Sequence, residues 1–330
     1  MTTASSFAAT VMTLRNGSGA PRSLLDLDDL ESGEIEGLLE RANRFVAHPP
    51  SRDLLRDVCV VNLFFEASTR TFTSFAIAEQ RVGADVVALP PGSSSLGKGE
   101  TIADTAITLA AMGVRIIVTR HPESGFPYRL AESFDGHVIN AGDGRHAHPT
   151  QALLDLLTLQ TEFGKIAGLR VALVGDILHS RVARSNIIGL SKLGAEVTLV
   201  GPETLLPAAM ARAGMRIERD LDAVLPEVDA LMLLRIQKER IASAVLPSLD
   251  DYARNYRLDA RRLAALRPQA IVMHPGPYNR GVELTEDVFG FAGWRYAQQV
   301  SHGVYVRMAV LDFLINATPA MAGARTARSA

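Results

Sequence analysis

The run VCVVNLFFEASTRTFTSFAIAEQRVGADVVAL, residues 58–89, decides the fold. Val58 to Phe65 is an almost unbroken apolar stretch, the pattern of a strand buried on both faces. A polar turn from Glu66 to Thr71 follows, an amphipathic helix is predicted from Phe72 to Val82, and a second strand from Asp85 to Leu89. Strands joined through a helix in this way lie parallel. The alternation continues outward through a helix from Thr101 to Met112 and the strands VRIIVT (114–119) and HVIN (137–140). A helix carrying Leu153, Leu154, Leu156 and Leu157 then leads the chain away, and the segment from Lys165 to Gly168 opens a second series. That series holds LRVALVGD (169–176), a helix after Arg181, EVTLV (196–200), ALMLL (230–234) and AIVMH (270–274). The fold class expected is α/β, two doubly wound parallel-sheet domains with the active site between them. Residues 1–22 are expected to form a flexible extension, 23–160 the first domain and 161–300 the second. Residues 301–330 are read as a helix packing back on the first domain, followed by a flexible tail.

Composition agrees with two cores. The chain has 330 residues and is 47% hydrophobic, enough for two domains of about 150 residues. A disordered tail, a peptide hormone and a disulfide-stapled miniprotein are excluded. Lys and Arg number 34 against 36 Asp and Glu, a formal net charge of -2, so no global field draws in nucleic acid or an anionic membrane. Any anion must be caught locally. The one cysteine, Cys59, cannot pair within the chain, which fits a reducing compartment. The N-terminus lacks a basic stretch followed by an apolar core, and nowhere do about 18 apolar residues run together. A soluble cytoplasmic protein is expected.

Ligands of open α/β sheets sit beyond the carboxyl ends of the strands, and there this sequence places its chemistry. Ser68, Thr69, Arg70 and Thr71 combine hydroxyls, an arginine and the N–H groups of a helix start, which suits a phosphate but equally an ordinary Ser/Thr cap. The P-loop pattern is absent. Arg120 and His148 add a second cation and a neutral donor able to polarise a carbonyl beside that phosphate, or are a surface arginine and a structural histidine. Asp176 ends a nucleotide-fold-like VALVGD, yet Ile177 to Arg181 lacks the glycine pattern of a dinucleotide site. Arg181 and Arg235 offer two planar forks, suited to a small dicarboxylate or to interdomain salt bridges. The loop PGSSSLGKGE carries Lys98, either a solvated tip or a mobile anion clamp.

In order along the chain, FFEASTRT, SSLGKGE, HPTQ within HAHPTQALLDL, VALVGDILHSR, RIQKER and HPGP resemble the motifs of aspartate carbamoyltransferase catalytic chains, from about Leu24 to Ile315. STRT and HPTQ are common to transcarbamoylases, while RIQKER and the lysine loop narrow the resemblance to aspartate. It implies a first domain that binds carbamoyl phosphate and a second that binds L-aspartate, with N-carbamoyl-L-aspartate and phosphate formed in de novo pyrimidine synthesis. It further implies that Ser68, Thr69, Arg70 and Thr71 hold the phosphate and that Arg120 bridges phosphate and carbonyl. His148 and Thr71 would donate to the carbonyl oxygen. Gln151 and the carbonyls of Pro275 and Gly276, in the loop ending at Pro277, would hold the carbamoyl nitrogen. Arg181 would take the α-carboxylate of aspartate, and Arg235 with Gln237 the other. Lys98, with Ser94 or Ser95, would enter from the neighbouring subunit of a homotrimer, while Glu66 and Arg240 would serve domain closure. No metal and no cofactor are implied. Whether such trimers join a regulatory chain or a dihydroorotase-like partner stays open.

Three positions depart from the family pattern. Phe72 stands where a second arginine often follows STRT, LGKGE is one residue shorter than LGKKGE, and Gly276 replaces a leucine, an exchange expected to matter little. Ornithine-type enzymes usually carry HCLP, and His274 to Pro277 has no cysteine. A non-catalytic assembly subunit of the same fold would be marked by losses at Arg70, His148 or Arg181, and all three are present.

Overall fold

The computed structural model describes residues 22–89, 99–207, 209, 215–236 and 248–316. The tails, the loop bearing Ser94, Ser95 and Lys98, and the segment bearing Gln237 and Arg240 lie outside them. The first sheet has strands β1 (Cys59–Phe64), β2 (Asp85–Leu89), β3 (Val114–His121) and β4 (His137–Asp143) in the order β2-β1-β3-β4. The second has β5 (Arg170–Val174), β6 (Glu196–Val200), β7 (Arg216–Glu218), β8 (Ala230–Leu233) and β9 (Ile271–Met273) in the order β7-β6-β5-β8-β9. All pairings within the two sheets are parallel, as the helical crossovers require.

The helices of the first domain are α1 (Ser32–Ala47), α2 (Thr69–Val82), α3 (Ile102–Ala111), α4 (Phe126–Ser133) and α5 (Pro149–Phe163). In the second, α6 (Arg181–Lys192) is followed by α7 (Leu221–Val224), α8 (Leu249–Tyr256) and α9 (Ala260–Ala265), and α10 (Tyr296–Asn316) carries the chain back against α1, α2 and α5. One hydrophobic cluster, with Val60 and Ile116 of the first sheet and Leu173 and Leu199 of the second, runs between the sheets through α5 and α6. Gly189 lets those helices approach: a Cβ there would lie 2.8 Å from Leu156 Cδ1 and 3.0 Å from Leu27 Cδ1. Two further clusters cover the outer faces of the sheets, so each sheet is buried on both sides.

Local differences from the sequence reading have physical causes. Helix α2 begins at Thr69, three residues before the predicted start, because the polar STR turn carries no apolar period but has good helix-start chemistry. Strands β3 and β4 run on to His121 and Asp143, bringing Arg120 and Gly142 into the sheet. Thr101 is the cap rather than the first residue of α3, accepting from Asp104 N–H. Arg22, placed in the flexible extension, is tied down by an ion pair with Glu34 and by a hydrogen bond from His137 Nδ1 to its carbonyl at 2.6 Å. Phe72 packs edge-on against Phe64 at 5.4 Å, so the position that departs from the family pattern contributes to the core.

Candidate active site

Strand order reverses between β1 and β3 in the first sheet and between β5 and β8 in the second. At such a reversal the connections diverge to opposite faces and leave a crevice beyond the strand ends. Ser68 to Thr71 and Arg120 stand at the first crevice, Arg181 and Arg235 at the second, and the two open into one cavity of about 580 Å³. His148, Gln151, Pro275, Gly276 and Pro277 line the same cavity. The structure thus brings together Ser68, Thr69, Arg70, Thr71, Arg120, His148, Gln151, Arg181, Arg235 and the 275–277 loop. Lys98 and Gln237 fall outside the described residues.

Ser68 occupies the N-cap of α2, yet its side chain makes no capping bond. This helix start, with its hydroxyls and its first N–H groups, lines the cavity beside Arg70, an arrangement suited to an anion. Ser180, at the start of α6, shows the alternative: its Oγ accepts from Ala183 N–H at 3.1 Å as an ordinary cap.

Arg120 and Arg181 meet across the interdomain cleft. Arg120 Nη1 donates to the Ala141 carbonyl at 3.2 Å and Arg181 Nη1 to that of Gly144 at 3.3 Å. Glu66 lies between them, accepting from Arg181 Nη2 at 2.9 Å and standing 3.3 Å from Arg120 Nε. Gly142, at φ +114°, makes this approach possible, since a Cβ would lie 3.0 Å from Arg181 Nε and 3.1 Å from Arg120 Nη1.

His148 ends the loop after β4 and caps α5, its backbone N–H donating to Ser185 Oγ at 2.9 Å. Burial, reinforced by Arg120, Arg181 and Arg307, holds its imidazole well below the ordinary histidine range. It is a neutral ring at pH 7, able to donate one N–H without adding a charge. Its Nδ1 is buried with no partner among the described residues.

The loop after β9 corrects the reading of Gly276. Gly276 adopts φ +63°, and a Cβ would lie 3.0 Å from both Arg70 Nε and Tyr296 Cε2. The absence of a side chain is what lets Arg70 and Tyr296 close on this loop, so the glycine matters beyond its carbonyl. Its N–H donates to His274 Nδ1 at 2.8 Å. Burial, with Arg70 and Arg235 nearby, pushes His274 down to about 3.

Several site residues lie outside the sequence reading. Arg307 of α10 and Gln299 line the back of the cavity. Asp155 of α5 is fully buried and accepts from Gln151 Nε2 at 3.0 Å, Gln299 Nε2 at 2.8 Å and Asn186 Nδ2 at 2.8 Å. Burial pushes its carboxyl up to about 7, against the pull of these three amides and of Arg307. Gly142 belongs here too; its place inside GDG was the available signal.

The family profile of the aspartate/ornithine carbamoyltransferase carbamoyl-P binding domain matches residues 22–161, and that of the Asp/Orn binding domain matches residues 167–314. The chain belongs to the aspartate/ornithine carbamoyltransferase family. The break between the two profiles falls at the end of α5 and the turn that follows it. The aspartate carbamoyltransferase catalytic subunit of Salinispora tropica is 51% identical over 301 residues, covering 89% of this chain and 98% of that one. That of Chloroflexus aurantiacus is also 51% identical over 301 residues, covering 88% and 97%. Among crystal structures, aspartate transcarbamoylase from Trypanosoma cruzi with N-(phosphonacetyl)-L-aspartic acid has a TM-score of 0.80 at 32% identity, covering 90% of this chain and 97% of that chain. The same enzyme with carbamoyl phosphate and aspartate gives 0.79 at 32% identity, covering 90% and 98%. Within this carbamoyltransferase no helix among the described residues is long and apolar enough to cross a membrane.

Proposed function

We propose that this chain transfers the carbamoyl group of carbamoyl phosphate to the amine of L-aspartate, giving N-carbamoyl-L-aspartate and phosphate in cytoplasmic pyrimidine synthesis. The observation that carries the reading is the single cavity in which the uncapped start of α2, Arg70, Arg120 and neutral His148 face Arg181 and Arg235 of the other domain. Ser68, Thr69, Arg70 and Thr71 hold the phosphate. Arg120 reaches both phosphate and carbonyl oxygen, and His148 and Thr71 donate to that oxygen.

The aspartate nitrogen attacks the carbonyl carbon, negative charge gathers on the carbonyl oxygen, and the bond from carbon to the phosphate oxygen then breaks. The departing phosphate takes the amine proton. Charge develops in this sequence at the carbonyl oxygen and the departing phosphate, the places that the cationic and N–H donors face. Gln151 with the Pro275 and Gly276 carbonyls accepts from the carbamoyl –NH2. Arg181 takes the α-carboxylate of aspartate, and Arg235 with Gln237 the side-chain carboxylate.

The working form in this reading is a homotrimer in which Lys98 reaches the neighbour's site. Exposed apolar side chains on edge strand β2, on helix α3 and at its C-cap, Val87 at 46%, Ile107 at 60% and Met112 at 73% exposure, support a subunit contact there. The direct test is a colorimetric carbamoyl-aspartate assay with carbamoyl phosphate and either aspartate or ornithine as acceptor. Turnover with aspartate alone is expected, and turnover with ornithine alone would overturn the reading.

A further inference from the structure

We propose that Asp155 is a positioning residue that sets which end of the Gln151 amide faces the cavity, and so makes the site select an –NH2 group over a methyl group of the same size. The inference rests on the reading of Gln151 as the partner of the carbamoyl nitrogen.

A glutamine amide has nearly the same shape at both ends but opposite chemistry, two donors at the nitrogen and two lone pairs at the oxygen. Shape alone cannot fix which end meets a substrate; a neighbour must. Gln151 Nε2 donates to Asp155 Oδ1 at 3.0 Å. Burial pushes the Asp155 carboxyl up to about 7, so above that pH it is ionised and only accepts, and turning the amide over would set oxygen against oxygen in a buried place. Oε1 is thereby the end left to the cavity that Gln151 lines. There it meets the requirement of a carbamoyl –NH2, which has hydrogens to give.

Asp155 is fixed in its turn. Gln299 of α10 donates to Oδ1 at 2.8 Å and Asn186 of α6 to Oδ2 at 2.8 Å, and the side chain is fully buried. The carboxylate is held from three helices, two of them outside its own. The same polarity passes on through Gln299: with its Nε2 spent on Asp155, its Oε1 accepts from His274 N–H at 2.9 Å. That bond anchors the strand end from which Pro275 and Gly276 enter the cavity. One carboxylate therefore sets both walls against which the carbamoyl nitrogen is read. A site built to bond a polar group rejects the analogue that lacks it far better than a pocket that judges size.

Acetyl phosphate is that analogue, with a methyl in place of the –NH2. The test measures affinities for carbamoyl phosphate, acetyl phosphate and inorganic phosphate by competition, at a pH about one unit or more above 7 so that Asp155 is ionised, in the full-length wild type, Asp155→Asn, Gln151→Ala and the double variant Asp155→Asn/Gln151→Glu. Asp155→Asn lets the Gln151 amide turn over and is expected to cost carbamoyl phosphate ~10-fold in affinity. Acetyl phosphate and inorganic phosphate should hold within about twofold. A merely structural role would weaken all three ligands together and overturn the proposal. If Gln151→Ala abolishes the preference for carbamoyl over acetyl phosphate while Asp155→Asn keeps it, this inference fails and the reading of Gln151 stands. If Gln151→Ala keeps the preference, the reading of Gln151 fails and this inference with it. In the double variant the carboxylate introduced at 151 offers only acceptors, so polarity no longer depends on position 155 and the preference should return. That variant keeps one buried negative charge and carries the test should Asp155→Asn alone not fold. A double variant that binds inorganic phosphate without preferring carbamoyl to acetyl phosphate overturns the proposal.

Discussion

Glu66 of the first domain accepts a hydrogen bond from Arg181 of the second at 2.9 Å, across the cavity that separates the two sheets. The same carboxylate lies 3.3 Å from Arg120 Nε, so it pairs with one arginine assigned to each substrate. A substrate carboxylate arriving at Arg181 enters a place where a carboxylate is already welcome. Glu66 then serves either as the link that draws the domains together or as a rival for the arginine, and a charge-removing substitution separates the two.

Glu66→Gln is expected to lower turnover about tenfold, since a charge-assisted bond across the cleft is worth ~1.5 to 3 kcal/mol and part of it survives as a neutral bond. Affinity for inorganic phosphate should hold or improve, because Arg120 loses a competing anion. Steady-state kinetics with phosphate inhibition measures both. Unchanged turnover would leave Glu66 as a counter-ion without a part in closure.

Arg235→Ala should raise the apparent KM for aspartate about tenfold or more and that for carbamoyl phosphate little, because its assigned partner is the acceptor's side-chain carboxylate. Equal movement of both constants would mean that Arg235 holds the cavity together rather than reading the acceptor.

What the sequence disclosed and what it hid follow one rule. Strands and their downstream loops were legible because each is local: an apolar run ends, a polar cluster follows, and the parallel topology brings the clusters together. Ser68 to Thr71, Arg120, His148, Arg181 and Arg235 were found this way, and all line the cavity. Hidden features depend on contacts between distant parts of the chain. Asp155 and Gln299 are two of several polar residues on their helices, 144 positions apart, and only packing of α10 on α5 joins them. Gly276 looked replaceable because Tyr296, which crowds it, comes from another element. The short edge strand β7, three residues long, has too little pattern to register, and α1 went unread although it packs on α10.

His274 gives a pH test whose sign is fixed by its burial. The folded ring stays neutral down to about 3, whereas in the unfolded chain it takes up a proton near the ordinary value of about 6.5. Between those values the unfolded state binds more protons. The stability tied to the neutral ring is thus present above about pH 6.5 and is lost as pH falls, by about 1.4 kcal/mol per unit. Asp155 and Glu79, a buried carboxyl of α2 that accepts from Asn62 Nδ2 at 2.7 Å, are both pushed up to about 7 and act with the opposite sign over the same range, so the wild type alone would show a muted profile. His274→Asn keeps an acceptor near the Nδ1 position that receives the Gly276 N–H but cannot titrate. The stability of wild type relative to His274→Asn, from urea unfolding at equal protein concentration, should shrink by about 2 kcal/mol between pH 6.5 and 5. A constant difference would mean that the ring is protonated alike in the folded and unfolded states.

The trimer reading makes its own prediction through two residues assigned to different subunits of one site. Arg70→Ala removes a donor to the phosphate, a loss of about 2.7 to 4 kcal/mol in the transition state if it acts like other single donors to a developing anion. Lys98→Ala removes the cation assigned to the neighbour's cavity. Each variant alone is expected to be nearly inactive, since every site in its trimer lacks one group. When the two are dissociated, mixed and reassembled, hybrids contain at least one interface where one chain brings an intact Arg70 and the other an intact Lys98, and activity should return. A contact that pairs two different surfaces closes only as a ring, so a hybrid trimer cannot avoid forming such an interface. Native mass measurement establishes that subunits have exchanged, and the carbamoyl-aspartate assay on the same sample reads the outcome. Exchanged trimers with no activity above either parent would place Lys98 in its own chain's site and remove the shared-site architecture.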